Sequence, residues 1–189
     1  LELAHKFRIG DKIGIYCSRG GLRSKSIAVI LSELGYRVVR LKGGFKAYRS
    51  FLAHYFDNEI NLDFFALCGN TGCGKTELLE LLPHHLNLEK MANHLGSSFG
   101  DILGAQPTQK AFEANLFYTL NSLKDFIFIE SESRKIGEIV LPLKLYEKMQ
   151  KAFKIHCFCS LEKRIDRIQK IYQEKMTPLK FKECLAKIS

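Results

Sequence analysis

The hydrophobic pattern of this chain changes period several times, and each change marks an element. Ile13-Gly14-Ile15-Tyr16-Cys17 is a short apolar run that predicts a buried strand. From residue 24 to 34 apolar residues recur at helical spacing, with Ile27, Ala28, Ile30, Leu31 and Leu34 on one face, which predicts a helix packed through that face. Gly35 stops it, because glycine takes the left-handed conformation of a helix end without steric cost. Residues 36–41 predict a second strand, Gly43-Gly44 a turn, and residues 45–55 a second helix. A helix between two strands returns the chain in the same direction, so these strands are expected to pair in parallel.

The polar run Asp57-Asn58-Glu59 interrupts the pattern and sets the expected division, residues 1–58 against residues 59–189. Beyond it, residues 64–68 predict a strand, and residues 75–82 a helix halted near Pro83. Residues 89–94 and 109–123 predict helices on either side of a loop at 96–104. The apolar run Phe126-Ile127-Phe128-Ile129 predicts a strand that ends on Glu130. A helix over 143–151, a strand over 155–159 and a last helix follow, the last capped by Ser160 and carrying Leu161, Ile165, Ile168 and Ile171 as its inner stripe. The fold class is therefore α/β, with two parallel-sheet modules.

Composition narrows the function classes. At 189 residues and 46% hydrophobic content the chain can bury a core. No stretch approaches the ~18–20 uninterrupted apolar residues of a membrane span, and no basic-then-apolar signal segment opens the chain. A cytoplasmic location without membrane contact is expected. The six cysteines, Cys17, Cys68, Cys73, Cys157, Cys159 and Cys184, lie in or beside apolar runs, unlike those of a stapled secreted scaffold. Cys157-x-Cys159 has no second ligand pair, so no zinc site is expected. The net charge of +9 is concentrated early: residues 1–60 carry 11 Lys/Arg against 5 Asp/Glu, and residues 61–189 carry 18 against 15. Such an excess draws polyanions such as RNA, although no aromatic run interleaved with arginine marks a base-stacking surface.

Two glycine-rich loops carry the candidate chemistry. In Cys17-Ser18-Arg19-Gly20-Gly21-Leu22-Arg23-Ser24 a cysteine ends a strand and a helix follows, so backbone amides converge on the sulfur and stabilise thiolate over thiol. Arg19 and Arg23 are expected to add positive charge, and Gly20 and Gly21 to let the amides close in. In Gly69-Asn70-Thr71-Gly72-Cys73-Gly74-Lys75-Thr76 the pattern G-x-x-x-x-G-K-[ST] follows a strand and opens a helix. Its amides are expected to cradle phosphate oxygens, Lys75 to add a point charge and Thr76 to ligate Mg²⁺. Cys73 fits there as a small filler. Glu130, at the end of its strand, is the expected acidic partner of that Mg²⁺, with Glu132 two residues on. Arg134, Lys135, Arg164 and Arg167 are candidates to reach a bound polyphosphate.

The sulfur loop together with Leu41-Lys42-Gly43-Gly44 resembles the catalytic half of a rhodanese domain, whose loop cysteine carries transferable sulfur or selenium. The same residues satisfy the Cys-x5-Arg loop of cysteine-dependent phosphatases, but Tyr16 stands where those carry histidine and no general-acid aspartate is evident. The two modules in this order resemble the tRNA 2-selenouridine synthase family. The resemblance is sharpened by three linking strings: Asn93-His94-Leu95-Gly96-Ser97-Ser98-Phe99-Gly100, Gln106-Pro107-Thr108-Gln109-Lys110-x-Phe112-Glu113 and Glu130-Ser131-Glu132-Ser133-Arg134-Lys135-Ile136-Gly137. It implies exchange of selenium for sulfur at the wobble 2-thiouridine of tRNA, with selenophosphate and geranyl diphosphate as co-substrates. On that reading Cys17 handles the chalcogen, and His94, Ser97, Gln109, Glu130, Glu132 and Arg134 stand around the phosphate loop. The family carries arginine where Leu95 stands and an acidic residue where Asn87 stands. Only the later part of a rhodanese domain and a phosphate-loop domain short of its C-terminal portion are expected here. A phosphate-loop kinase or NTPase with a regulatory thiol domain, and a tRNA-binding remnant without activity, are the other readings.

Overall fold

The computed structural model describes residues 7–58, 60–95 and 104–175, with side chains as far as Lys170. Ser97, the rest of the string at 96–100, and Cys184 lie outside the described residues. The chain divides into two compact units, Leu1–Tyr55 and Phe56–Ser189.

The first unit contains β1 (Lys12–Ile15), α1 (Leu22–Glu33), β2 (Arg37–Arg40) and most of α2 (Gly44–Asp57), which crosses the division at Tyr55. β1 and β2 pair in parallel with Ile13 opposite Val38, as a helical crossover between adjacent strands requires. Gly35, at φ +87°, turns the chain out of α1. The apolar face of α1 is not buried as its periodicity predicts. Ile27 and Leu34 are 51% and 57% exposed, Ile30 is exposed too, and Ala28 and Leu31 are half-buried. Two strands of four residues present too narrow a surface for the ~100°-wide stripe of a 12-residue helix. The one fully buried residue of α1 is polar, Ser24.

The second unit runs β3 (Asp63–Cys68), α3 (Lys75–Leu81), β4 (His85–Leu86), α4 (Leu88–Ala92), α5 (Gln109–Ser122), β5 (Phe126–Glu130), β6 (Lys135–Ile136), β7 (Ile139–Val140), α6 (Leu143–Lys151), β8 (Phe153–His156) and α7 (Leu161–Lys175). Its main sheet has the order β4-β5-β3-β8, with every pairing parallel. The first strand of the unit lies inside the sheet, and later strands are added on both sides of it. The loop leaving the carboxyl end of β3 therefore opens at a topological switch point, where α/β sheets leave a crevice for ligands. Ala66, Leu67, Ile127 and Ile129 from the sheet, Phe112, Leu116 and Leu120 at four-residue spacing on α5, and Leu145 and Met149 of α6 are buried. Phe65 meets Phe128 at 5.5 Å and Phe153 at 6.1 Å between ring centroids, an aromatic ladder across three strands.

Two expectations are corrected. The last strand of the sheet occupies residues 153–156, not 155–159, because Phe153 joins the ladder on Phe65; Cys157 extends the pairing by one amide, donated to the Cys68 carbonyl at 2.7 Å. The stripe of α7 is uncovered in its first turns, with Leu161 and Ile165 exposed, since the helix meets the rest of the unit where Ile168 packs on Gly72. The hairpin β6–β7 and the two-residue β4 carry too few residues for a period to show in sequence.

Truncating Leu116 to alanine is expected to cost about 2–5 kcal/mol, as for other fully buried leucines. Leu34→Ala, on the open face of α1, is expected to cost under about 1 kcal/mol. Urea unfolding followed by circular dichroism distinguishes the two.

Candidate active site: a sulfur loop and a phosphate loop

Cys17 follows β1 and is half-buried. Its thiol donates to Ser24 Oγ at 3.3 Å, and that hydroxyl donates to the Gly21 carbonyl at 3.1 Å. When sulfur ionises, the hydroxyl can rotate and donate to it instead. The thiol pKa falls from the ordinary 9.0 to about 6, led by the Ser24 hydroxyl, then the Ser24 amide, with the Arg19 and Gly21 amides contributing. Arg19 thus acts through its backbone N–H among these leading causes. The loop is closed from beyond by α2: Phe45 N donates to Cys17 O and Lys46 N to Ser18 O, each at 2.9 Å. Gly44, at φ +63°, lies so close that a Cβ there would overlap the Cys17 carbonyl and the Gly20 amide. That contact accounts for the second glycine of Gly43-Gly44. Cys17, Ser18, Arg19, Gly21, Leu22 and Arg23 line an open cavity of about 470 Å³.

In the phosphate loop, Gly69, Gly72 and Gly74 all have positive φ, at +150°, +80° and +89°. Lys75 Nζ donates to the Gly69 carbonyl at 3.0 Å, which folds its side chain back over the loop. Cys73 packs its sulfur against Gly69. Arg164 and Arg167, candidates for polyphosphate contact, brace the loop: Arg164 Nε donates to Thr71 O and Arg167 to Gly72 O, each at 2.9 Å, and Arg167 pairs with Glu77 at 3.1 Å.

Glu130 lies opposite Leu67 in the β3–β5 ladder and is 2% exposed. The Thr76 hydroxyl hydrogen-bonds its carboxylate and Lys75 attracts it, but burial and the neighbouring Glu89 outweigh both and push its pKa up to about 7. Burial, then Glu89 and Glu130, push Glu132 up to about 8. Lys75, Thr76, Glu130 and Glu132 are thus brought together. Glu89, on the first turn of α4, joins them; the sequence reading missed it, although an asparagine two residues earlier is a residue type that starts helices. Asn87 is buried and its side chain accepts from Lys90 N at 2.8 Å, so asparagine caps α4.

The other string residues have structural work. Gln106 donates to the carbonyls of Ala92 and Ile136 and accepts from Glu138 N. Gln109 exchanges a pair of hydrogen bonds with the backbone of Val140, at 2.8 and 2.9 Å. The two amide side chains act as an extra strand edge for β6–β7. His94 packs near Gly137, the turn of that hairpin, with its Nδ1 buried and lacking a partner among the described residues. Arg134 is exposed on the segment leading into β6, its carbonyl accepting from Leu141 N.

A glycine loop with Lys75 and Thr76, set at the switch point of a parallel sheet beside a buried acid, defines the second unit as a phosphate-loop α/β domain. Residues 62–185 match the family described as tRNA 2-selenouridine synthase AAA domain. Curated relatives named tRNA 2-selenouridine synthase include one from Pseudomonas syringae pv. tomato, 40% identical over 160 residues, 82% of this chain and 43% of that one. Another, from Alcanivorax borkumensis, is 40% identical over 156 residues, 80% of this chain and 43% of that one. A third, from Hydrogenovibrio crunogenus, is 36% identical over 172 residues, 85% of this chain and 47% of that one. The chain belongs to the tRNA 2-selenouridine synthase family. It spans less than half the length of these relatives. No solved structure gives a significant match. No helix among the described residues is long and apolar enough to cross a membrane.

Two pH signatures follow. Alkylation of Cys17 by iodoacetamide, followed by peptide mass spectrometry, is expected to rise with pH to half its plateau near pH 6; Ser24→Ala moves that midpoint up toward the ordinary thiol range. The raised carboxyls act in the opposite sense. Each binds its proton more tightly folded than unfolded, so the stability this contributes is complete below about 4.5 and is lost as pH rises through about 7 and 8. The melting temperature of metal-free protein is expected to fall from about pH 4.5 to about pH 8 and to level off above, and Glu132→Gln to flatten that fall.

Proposed function

We propose that this chain acts in replacing the sulfur of wobble 2-thiouridine in tRNA with selenium, by way of a geranylated sulfur. The observation that carries the reading is the ionisable Cys17 beside an open cavity rimmed by Arg19 and Arg23, in a chain of this family. We read the first unit as the later part of a rhodanese-like domain, since a parallel β-loop-α-β segment with its thiol at the end of the first strand is the arrangement that such chemistry uses.

At the phosphate loop, the thiouridine sulfur attacks C1 of geranyl diphosphate; a C–S bond forms, the C–O bond breaks and diphosphate leaves. The amides of residues 69–74 and the Lys75 ammonium accept the charge that grows on the leaving oxygens. The buried, partly unpaired Glu130 carboxylate and the Thr76 hydroxyl fit Mg²⁺, which when bound would neutralise part of that charge. The alkylated sulfur is then a better leaving group. Selenium from selenophosphate displaces it at C2 of the base, geranyl thiolate departs, and water takes the phosphoryl group as phosphate. Cys17 handles the chalcogen in this displacement as a thiolate. The basic excess of residues 1–60 favours the tRNA backbone and the anionic selenium donor alike.

Thiolated tRNA incubated with the protein, selenophosphate and geranyl diphosphate, and digested for nucleoside mass spectrometry, tests this. Wild type is expected to yield 2-selenouridine. Lys75→Ala loses both the geranylated and the selenated nucleoside, whereas Cys17→Ser retains the geranylated one and loses selenouridine by more than about tenfold. ATP hydrolysis abolished by Lys75→Ala, with no change in the nucleosides, would instead identify a nucleotide-hydrolysing domain.

A further inference from the structure

We infer that Glu89, Glu130 and Glu132 together form one divalent-cation site beside the phosphate loop, with the Thr76 hydroxyl as a further oxygen donor. The inference deepens the reading of that loop as a diphosphate cradle, and adds Glu89 and Glu132 to the one acid that the phosphate-loop pattern itself calls for. The three carboxylates come from separate stretches of backbone: Glu89 from the first turn of α4, Glu130 from the last position of β5, and Glu132 from the segment that follows. One oxygen of each lies within 4.8 Å of those of the other two. Hard cations hold oxygen donors at roughly 2.0–2.6 Å, so donors sharing an ion stand roughly 3–5 Å apart, the range seen here.

A cluster of acids is not in itself a site, and the deciding observation concerns Glu130. The residue is 2% exposed, and its Oε1 is buried without a hydrogen-bond partner among the described residues. Folded proteins rarely leave a buried carboxylate oxygen unpaired; a donor, a water or an ion fills such a position. Two acids stand around this one, and Lys75, the cation nearest in effect, is already donating to Gly69. The donor set is all oxygen, which selects Mg²⁺, Mn²⁺ or Ca²⁺ over the softer metals. Asn87 acquires a purpose on this account, since the helix it caps presents Glu89 two residues later.

Titrating Mn²⁺ into the full chain without added anion, with free ion followed by electron paramagnetic resonance, tests the site directly. One bound ion is expected. Glu89→Gln and Glu132→Gln each weaken it at least about tenfold, and Glu130→Gln abolishes it. Circular dichroism checks folding, and if Glu130→Gln does not fold the two half-buried positions decide. Lys75→Ala is expected to keep Mn²⁺ and lose inorganic pyrophosphate. If wild type binds Mn²⁺ but not pyrophosphate, the cation site stands and the diphosphate reading fails. No Mn²⁺ bound by wild type at millimolar concentration, or unchanged binding in both Glu89→Gln and Glu132→Gln, overturns the inference.

Discussion

A carboxylate buried at the end of β5, one strand over from a loop built to hold anions, is the constraint around which the second unit is organised. Glu130 is held there by the β3–β5 register, which sets it opposite Leu67 just before the loop begins. Burial raises the cost of its charge, and Glu89 and Glu132 raise it further. The Thr76 hydroxyl and Lys75 offset only part of that cost. If the loop receives the anionic ligand proposed above, positive charge is needed between the two, and the oxygen-rich cluster beside Thr76 is where it would sit. The short β4, the Asn87 cap and the first turn of α4 together bring Glu89 to this point.

The surrounding parts keep this arrangement rigid by polar contacts to backbone. Arg164 and Arg167 hold the carbonyls of Thr71 and Gly72 from α7, which fixes the course of the loop backbone. Gln106 and Gln109 tie α4, the hairpin β6–β7 and α5 into one block. The sulfur loop of the first unit uses the same device in small: α2 donates two amides to the loop carbonyls, and Gly44 allows the approach. The amides of Arg19, Gly21 and Ser24 are left to stabilise sulfur.

Much of this was legible in the sequence. The strand before each loop, the helix after it and the end of β5 on Glu130 were carried by apolar runs with a clear period and by glycine punctuation, the signals that survive without tertiary context. The α6 helix, Leu143–Lys151, was readable to the residue for the same reason. What could not be read depends on partners distant in the chain. The open face of α1 was hidden because periodicity reports which face is apolar and not whether anything covers it. The role of Gln109 was hidden because a side-chain amide that completes a strand edge leaves no periodic trace. Glu89 lies some forty residues before Glu130, and only the parallel crossover from β4 to β5 brings them side by side. The bracing of the loop by the arginines of α7 was hidden because it depends on the fold bringing that helix back to Thr71 and Gly72.

The account's central claim is that the loop from Gly69 to Thr76 receives a pyrophosphate group with the help of a cation held by its acidic neighbours. Isothermal titration calorimetry of inorganic pyrophosphate into the protein, with Mg²⁺ and then with EDTA, tests it most directly. The account predicts one site in Mg²⁺, weakened at least about tenfold by the chelator through loss of the bridging charge. Equal binding in both conditions, or none in either, would contradict it.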